Sequence, residues 1–212
     1  MRLMLRLLDL ILPPRPTEAL LRSATLESAG AFLTPRVLEA AVAPVTALLP
    51  YREPLVRALI VEAKYRDSAH AQALLGAILR EYLERWREDA DALASGPFIV
   101  VPVPLGAKRR KARGYNQVER VCETALASPL RDMRLVPGLL ERVRDTTPQT
   151  RLPKEARRRN LADAFCVRTP LESTATYIVV DDVVTTGATL SAAAAALASA
   201  GAKRVQLLAL AH

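Results

Sequence analysis

The sequence predicts an α/β fold: a parallel sheet flanked by helices, with a short helical segment at the N-terminus. Three observations carry this. PFIVVPVP (97–104) and TYIVV (176–180) are β-branched runs bounded by breakers or polar residues, the pattern of buried strands. Between TYIVV and a third apolar run, RVQLLAL, lies an alanine-rich stretch of helical length, 189–200, which Gly201 stops. Strand, helix and strand in that order form a βαβ unit, whose crossover joins parallel strands.

The remaining elements follow in chain order. MRLMLRLLDLIL places Leu3, Leu7 and Leu10 on one helical face with Met4 and Ile11, so a short docked helix ending at Pro13-Pro14 is expected; a peripheral membrane helix or a partner helix are the alternatives. Charges at Arg2, Arg6 and Asp9 set it apart from a signal peptide. Residues 12–54 hold seven prolines around apolar pieces such as VLEAAVAPVTALL, which read as short helices and turns. LVRALIVEAKY and AHAQALLGAILREYLERWRED have helical spacing. Asn116 is a good N-cap for a helix over 116–127. The Arg-rich stretch 142–160, with Pro148 and Pro153 and no apolar period, reads as a long loop. The expected division is 1–50 as a helical, proline-rich segment and 51–212 as the main domain.

Composition excludes several classes. Of 212 residues half are hydrophobic and a quarter charged, enough for a packed core and too apolar for wholesale disorder. Cys122 and Cys166 form no CxxC pair, which argues against a disulfide scaffold or a thiolate zinc site and suits a reducing cytosol. No run approaches the roughly 18 apolar residues of a membrane span. A cytoplasmic location is therefore expected, and nothing in the sequence fixes an oligomeric state.

The net charge of +8 is concentrated. KRRKARG at 108–114 carries +5, and 141–159, with seven basic and three acidic residues, carries +4. A solvated face explains either run alone; a phosphate site or a nucleic-acid surface explains both.

The most informative segment is YIVVDDVVTTGATLSAAAAAL. A buried strand delivers Asp181 and Asp182 at its carboxyl end, where open parallel sheets bind ligands. Val183 and Val184 lead into Thr185, Thr186, Gly187, Ala188 and Thr189 at a helix start, where backbone N–H groups and the helix dipole favour an anion. An ionised carboxylate accepts from adjacent hydroxyls, so a phosphate and a sugar diol are expected side by side. The bland reading is a capped Gly turn after a strand that ends in acids. There is no GxxxxGK[ST] and no GxGxxG. His70, His212, Tyr82 and Trp86 lie outside these motifs and read as packing or surface residues.

At these residues the sequence resembles the type I phosphoribosyltransferases, whose signature for 5-phosphoribosyl 1-pyrophosphate (PRPP) is a strand, two acids and a TTG loop. It is most similar to the competence-associated ComF/GntX family. VPVPLGAKRRKARGYNQ resembles that family's Pro-Val-Pro strand end and RG-aromatic-NQ turn. TPQTRLPKEARRRNLADAF resembles its Q-x-x-L…R-x-x-N…AF segment at Gln149, Leu152, Arg157, Asn160, Ala164 and Phe165. YREPLVRALIVEAKYRDS resembles its helix ending at Lys64-Tyr65, so the likeness covers about residues 51–212. Family members commonly carry a zinc ribbon before this domain; the cysteines are missing here, and no zinc is expected.

The resemblance implies a phosphoribosyltransferase-like domain that takes PRPP with Mg²⁺ and transfers the phosphoribosyl group to an unidentified base or nucleotide, releasing pyrophosphate. Asp181 and Asp182 would hold the ribose and touch the metal only if geometry allows, because Mg²⁺ keeps several waters. The turn with Lys108, Arg109 and Arg113 would face pyrophosphate. Lys154 and Arg157 belong to a candidate lid over 142–160, and Lys64, Tyr65, Asn116 and Gln117 are candidate substrate contacts. The alternative is a non-catalytic PRPP sensor or a binder of single-stranded DNA, since the family is associated with DNA uptake.

Overall fold

The computed structural model describes residues 15–90, 96–143 and 164–212. The N-terminal dodecapeptide and residues 144–160, with the expected docked helix and the lid residues Gln149, Lys154, Arg157 and Asn160, lie outside the described residues. Helices α1 (Pro16–Arg22) and α2 (Leu26–Gly30) come first, then strands β1 (Arg36–Leu38) and β2 (Val45–Leu49). Helices α3 (Pro54–Tyr65) and α4 (Ala69–Ala90) follow. The chain continues through β3 (Phe98–Pro102), α5 (Ala107–Arg113), α6 (Gln117–Ala125), β4 (Met133–Leu135), β5 (Leu140–Arg142) and β6 (Phe165–Val167). It closes with β7 (Thr176–Val183), α7 (Ala188–Ser199) and β8 (Arg204–Ala211).

Six strands form one sheet in the order β1-β2-β8-β7-β3-β4, parallel throughout except for β1, which runs antiparallel at the edge. β5 and β6 form a separate antiparallel pair. Alternation along the strands feeds two cores. On one face Leu48, Phe98, Val100, Ile178, Val180 and Leu208 meet α3, α4 and α6. On the other Val45, Ile99, Val101, Val179, Leu207 and Ala209 meet α7 and the β5–β6 pair. A sheet buried on both faces needs near-continuous apolar strands, which is why β3 and β7 are legible as uninterrupted runs. Trp86 packs edge-on against Phe98, with ring centroids 5.3 Å apart, as core packing. At Gly76 a Cβ would stand 2.6 Å from Thr124 Cβ, so the missing side chain sets how closely α4 approaches α6.

Two expectations are corrected. The short helices read into 36–49 are instead β1 and β2, and β2 pairs with β8, so the sheet draws on residues before 51. VTALL is only five residues long and wholly buried, and a short apolar run does not reveal its period. The basic turn after VPVP is itself a helix, α5, ended by Gly114 in the left-handed region at φ 78°.

Candidate functional site

The site is assembled at the carboxyl end of β7. Both acids lie within the strand, so their side chains leave on opposite faces. Asp182 is buried on the α3/α6 face. Its Oδ2 lies 2.6 Å from Lys64 Nζ and accepts from Gln117 Nε2 at 2.7 Å, while its Oδ1 accepts from Val183 N at 2.7 Å. Asp181 faces the α7 side. Its Oδ1 accepts from Asp182 N at 2.9 Å, and among the described residues no donor meets its Oδ2. Burial pushes the Asp181 carboxyl up to about 7, the neighbouring Asp182 charge adds to the rise, and Lys64 and Arg142 oppose it. The two carboxylates expected to share one task therefore have different surroundings.

Beyond them the chain turns at 184–187 and enters α7. Gly187 is its N-cap residue at φ 70°, a conformation that costs a side chain energy, and a Cβ there would meet Ala40 Cβ at 2.7 Å. Thr185 and Thr186 are exposed, and Thr186 Oγ1 accepts from Ala188 N at 3.4 Å. The buried alanines of α7 bring its axis close to the sheet and fix the helix start beside β7. The turn thus presents hydroxyls and helix-start N–H groups outward, a geometry suited to a phosphate.

The other predicted residues fall into two groups. Lys64 and Gln117 join Asp182. Tyr65 is exposed beneath the Arg113 guanidinium, 5.0 Å from the ring centroid, and Arg113 also donates to Gln117 Oε1 at 3.0 Å. Asn116 is buried with both ends of its amide engaged: Oδ1 caps Val118 N at 3.1 Å and Nδ2 donates to Val103 O at 3.0 Å. It is a fastening between β3 and α6. Lys108 and Arg109 are exposed on α5, which follows β3, the strand next to β7.

Two residues whose roles the sequence did not disclose complete the arrangement. Tyr115 Oη donates to Ala63 O at 3.1 Å and accepts from Asp67 N at 2.9 Å, pinning the end of α3 that carries Lys64. The RGYNQ motif is therefore a clamp: Tyr115 holds α3, Asn116 holds β3 and Gln117 holds Asp182. Arg142 stacks on the Phe165 ring at 5.5 Å, and its charge opposes the rise of the Asp181 pKa. A basic residue at the end of a short strand gave no signal of that contact.

Among the described residues no three His, Cys, Asp or Glu side chains converge as a metal site, and no helix is long and apolar enough to cross a membrane. Residues 121–212, which include the β7 turn, match the phosphoribosyl transferase domain family. The DNA utilization protein YhgH of Salmonella typhi is 36% identical over 155 residues, 73% of this chain and 66% of that protein. The Escherichia coli K12 protein of the same name is 34% identical over the same length, and Competence protein F of Haemophilus influenzae is 33% identical over 121 residues, 55% of this chain and 51% of that protein. The matched region thus spans just under two thirds of the first two relatives and about half of the third. An identity of about a third over most of the chain, with a domain match that takes in the β7 turn, supports one conclusion: the chain belongs to the ComF family of type I phosphoribosyltransferase-like proteins.

Proposed function

We propose that the protein binds PRPP with Mg²⁺ at the carboxyl end of β7 and transfers its phosphoribosyl group to an acceptor, releasing pyrophosphate, in the cytoplasm and in connection with DNA uptake or use. The observation that carries this is the turn at 184–187: a left-handed glycine between an acid-bearing strand and a helix start, with outward threonines. The 5-phosphate would sit on residues 185–189, and Asp181, with an unengaged oxygen, would take the ribose hydroxyls. Lys108 and Arg109 on α5 would stand toward the pyrophosphate, because positive groups placed where negative charge develops speed loss of the leaving group.

Magnesium fits this donor set through Asp181 and the oxygens of PRPP; Asp182, already held by Lys64, Gln117 and its own strand, does not need it. Bound there, the ion would neutralise charge on the departing pyrophosphate. The test is pyrophosphate release from PRPP by purified protein with Mg²⁺, with and without added bases and nucleotides. Release that depends on an added acceptor supports transfer; no heat of PRPP binding in a folded protein refutes the reading.

A second reading, a PRPP sensor or a single-strand binder, is favoured by the engagement of Asp182 and by the exposed basic face of α5. It calls for PRPP binding without turnover, and for oligonucleotide affinity that falls with salt at about 0.7 counterions per neutralised phosphate. With few aromatics available for stacking, sequence preference would be weak.

A further inference from the structure

A cleft of 460 Å³ opens at the same sheet edge on the other flank of β7, at the ends of β2 and β8. Its lining includes Arg36, Arg52, Arg57, Tyr51 and Thr34, and among the described residues no acidic side chain. The volume suits a small molecule. Its base is a continuation of the sheet: His212 N donates to Leu49 O at 3.0 Å, and Tyr51 N donates to His212 O at 2.7 Å. The Arg57 guanidinium lies over the Tyr51 ring, 5.7 Å from its centroid, so a flat aromatic surface and a cation are offered together. Arg52 has Glu53 at 3.6 Å but is largely exposed, which leaves that pairing weak.

Position gives the cleft its meaning. Val184 N, the first residue of the phosphate turn, donates to Ala211 O at 2.9 Å, and Ala211 pairs in turn with Leu49 of β2. The turn and the cleft therefore hang from strands about 10 Å apart, two strand spacings along one edge. Arg36 pairs across to Ala47, Ala47 to Ala209 and Ala209 to Asp181, which puts the arginine and the acid in one row of the sheet. The donor's own negative charge is already provided for on this scheme, the 5-phosphate by the turn and the pyrophosphate by α5 beyond β3. Three arginines on the β2 side are left for a different anion.

We propose that this cleft binds the acceptor and that the acceptor is a planar ring bearing its own negative charge, a carboxylate or a phosphate. The inference rests on the PRPP reading above. Tyr51 and Arg57 take the ring, and Arg36 with Arg52 takes the charge, which a guanidinium meets with two parallel hydrogen bonds.

Two matched pairs of probes, orotate with uracil and adenosine 5′-monophosphate with adenine, test it by calorimetry with and without saturating PRPP and Mg²⁺. At least one charged member binds when PRPP is present, at least 10-fold more tightly than its neutral partner. Arg36→Gln with Arg57→Gln lowers that affinity at least 10-fold and leaves the heat of PRPP binding unchanged, whereas Arg36→Lys with Arg57→Lys retains part of it. Thermal melting confirms that both variants fold, as exposed positions allow. Equal binding of charged and neutral members, or no effect of the Gln pair, overturns the proposal. So does the failure of all four probes to bind with PRPP present, and so does a single-stranded oligonucleotide that binds the parent and is lost in the Gln variant. PRPP is titrated separately: its failure to bind sinks the donor reading, whereas failure of the cleft alone leaves that heat intact.

Discussion

The two faces of β7 at its carboxyl end carry consecutive carboxylates with opposite circumstances. On the α3/α6 face Asp182 is enclosed and fully answered: a lysine, a glutamine amide and its own strand's N–H. On the α7 face Asp181 is desolvated with one oxygen unclaimed, and its proton is held up to about 7. A pair of acids that reads as one motif therefore divides into a group that organises the fold and a group left with binding capacity. Proximity in sequence does not imply a shared role, because a strand turns successive side chains to opposite sides.

The largest expected effect comes from breaking the enclosed side. Lys64→Met leaves the Asp182 charge buried without its cation, and removal of one partner from a buried pair costs about 3–5 kcal/mol. Side-chain exposure of 23% for Lys64 lets water relieve part of that, so about 2–4 kcal/mol is expected in urea unfolding. Lys64→Met with Asp182→Asn should recover much of the loss, since the double change removes the stranded charge. A single variant as stable as the parent would show that the pair contributes nothing to the fold.

Asp181→Asn acts in the other direction. A carboxyl whose proton is held more tightly in the folded chain contributes stability that is fully present below its unfolded value of 3.8 and is lost as pH rises through about 7. Asparagine removes that dependence. The variant should therefore match the parent near pH 4 and melt higher above pH 7, by roughly 2–4 °C for each kcal/mol relieved. PRPP affinity at pH 8 should fall at least 10-fold, because a neutral amide loses the charge-assisted half of its hydrogen bonds. Equal melting temperatures at pH 8 would show that the Asp181 charge is not penalised in the folded chain.

Legibility followed the same division. The β7–α7 unit was readable throughout because every local signal agreed: an apolar run, two acids, a glycine turn and an alanine-rich helix. The helix cap at Asn116 was equally plain. What could not be read were tertiary partners. Nothing in KARGYNQ says that its tyrosine would hold α3 some fifty residues upstream, or that Gln117 would meet Asp182 sixty-five residues downstream. β2 was misread because five buried residues carry no period, and its strand identity comes from pairing with β8. The arginine cleft depends on that same pairing, which places Arg36, Arg57 and His212 together from distant parts of the chain.

A smaller effect is expected from Gly187→Ala, on Asp181's side alone. The left-handed φ of 70° costs a non-glycine residue about 1–2 kcal/mol, and the new methyl must also displace Ala40. Gly114→Ala is the control: its φ is 78°, but nothing lies within 4 Å of the added carbon, so only the conformational cost remains. If the β7 turn is the phosphate cradle, Gly187→Ala weakens PRPP binding and Gly114→Ala does not, although both lower the melting temperature. Equal effects on PRPP would mean that the turn has no special part in the site.

The smallest effect tests how Lys64 is held in place. Tyr115→Phe keeps the ring, with the Arg120 guanidinium 5.1 Å from its centroid, and removes only the hydroxyl that links Ala63 O to Asp67 N. Each of the two hydrogen bonds contributes about 0.5–1.5 kcal/mol net, and water replaces part of the exposed one at Asp67, so a loss of roughly 1 kcal/mol is expected. Asp67 sits at φ 52°, where an aspartate is tolerated at some cost, so the hydroxyl also helps to hold an unfavourable turn just after Lys64. Loosening that turn should make the Lys64–Asp182 contact less persistent without abolishing it. Consequently Tyr115→Phe should cost less in a Lys64→Met background, where only the hydroxyl's own hydrogen bonds are lost and no Lys64–Asp182 contact is left to position. Tyr65→Phe, at an exposed neighbour on the same helix end, should change stability by less than about 0.5 kcal/mol in either background. Additive losses for Tyr115→Phe and Lys64→Met would show that the tyrosine steadies α3 alone and that the clamp stops short of Asp182.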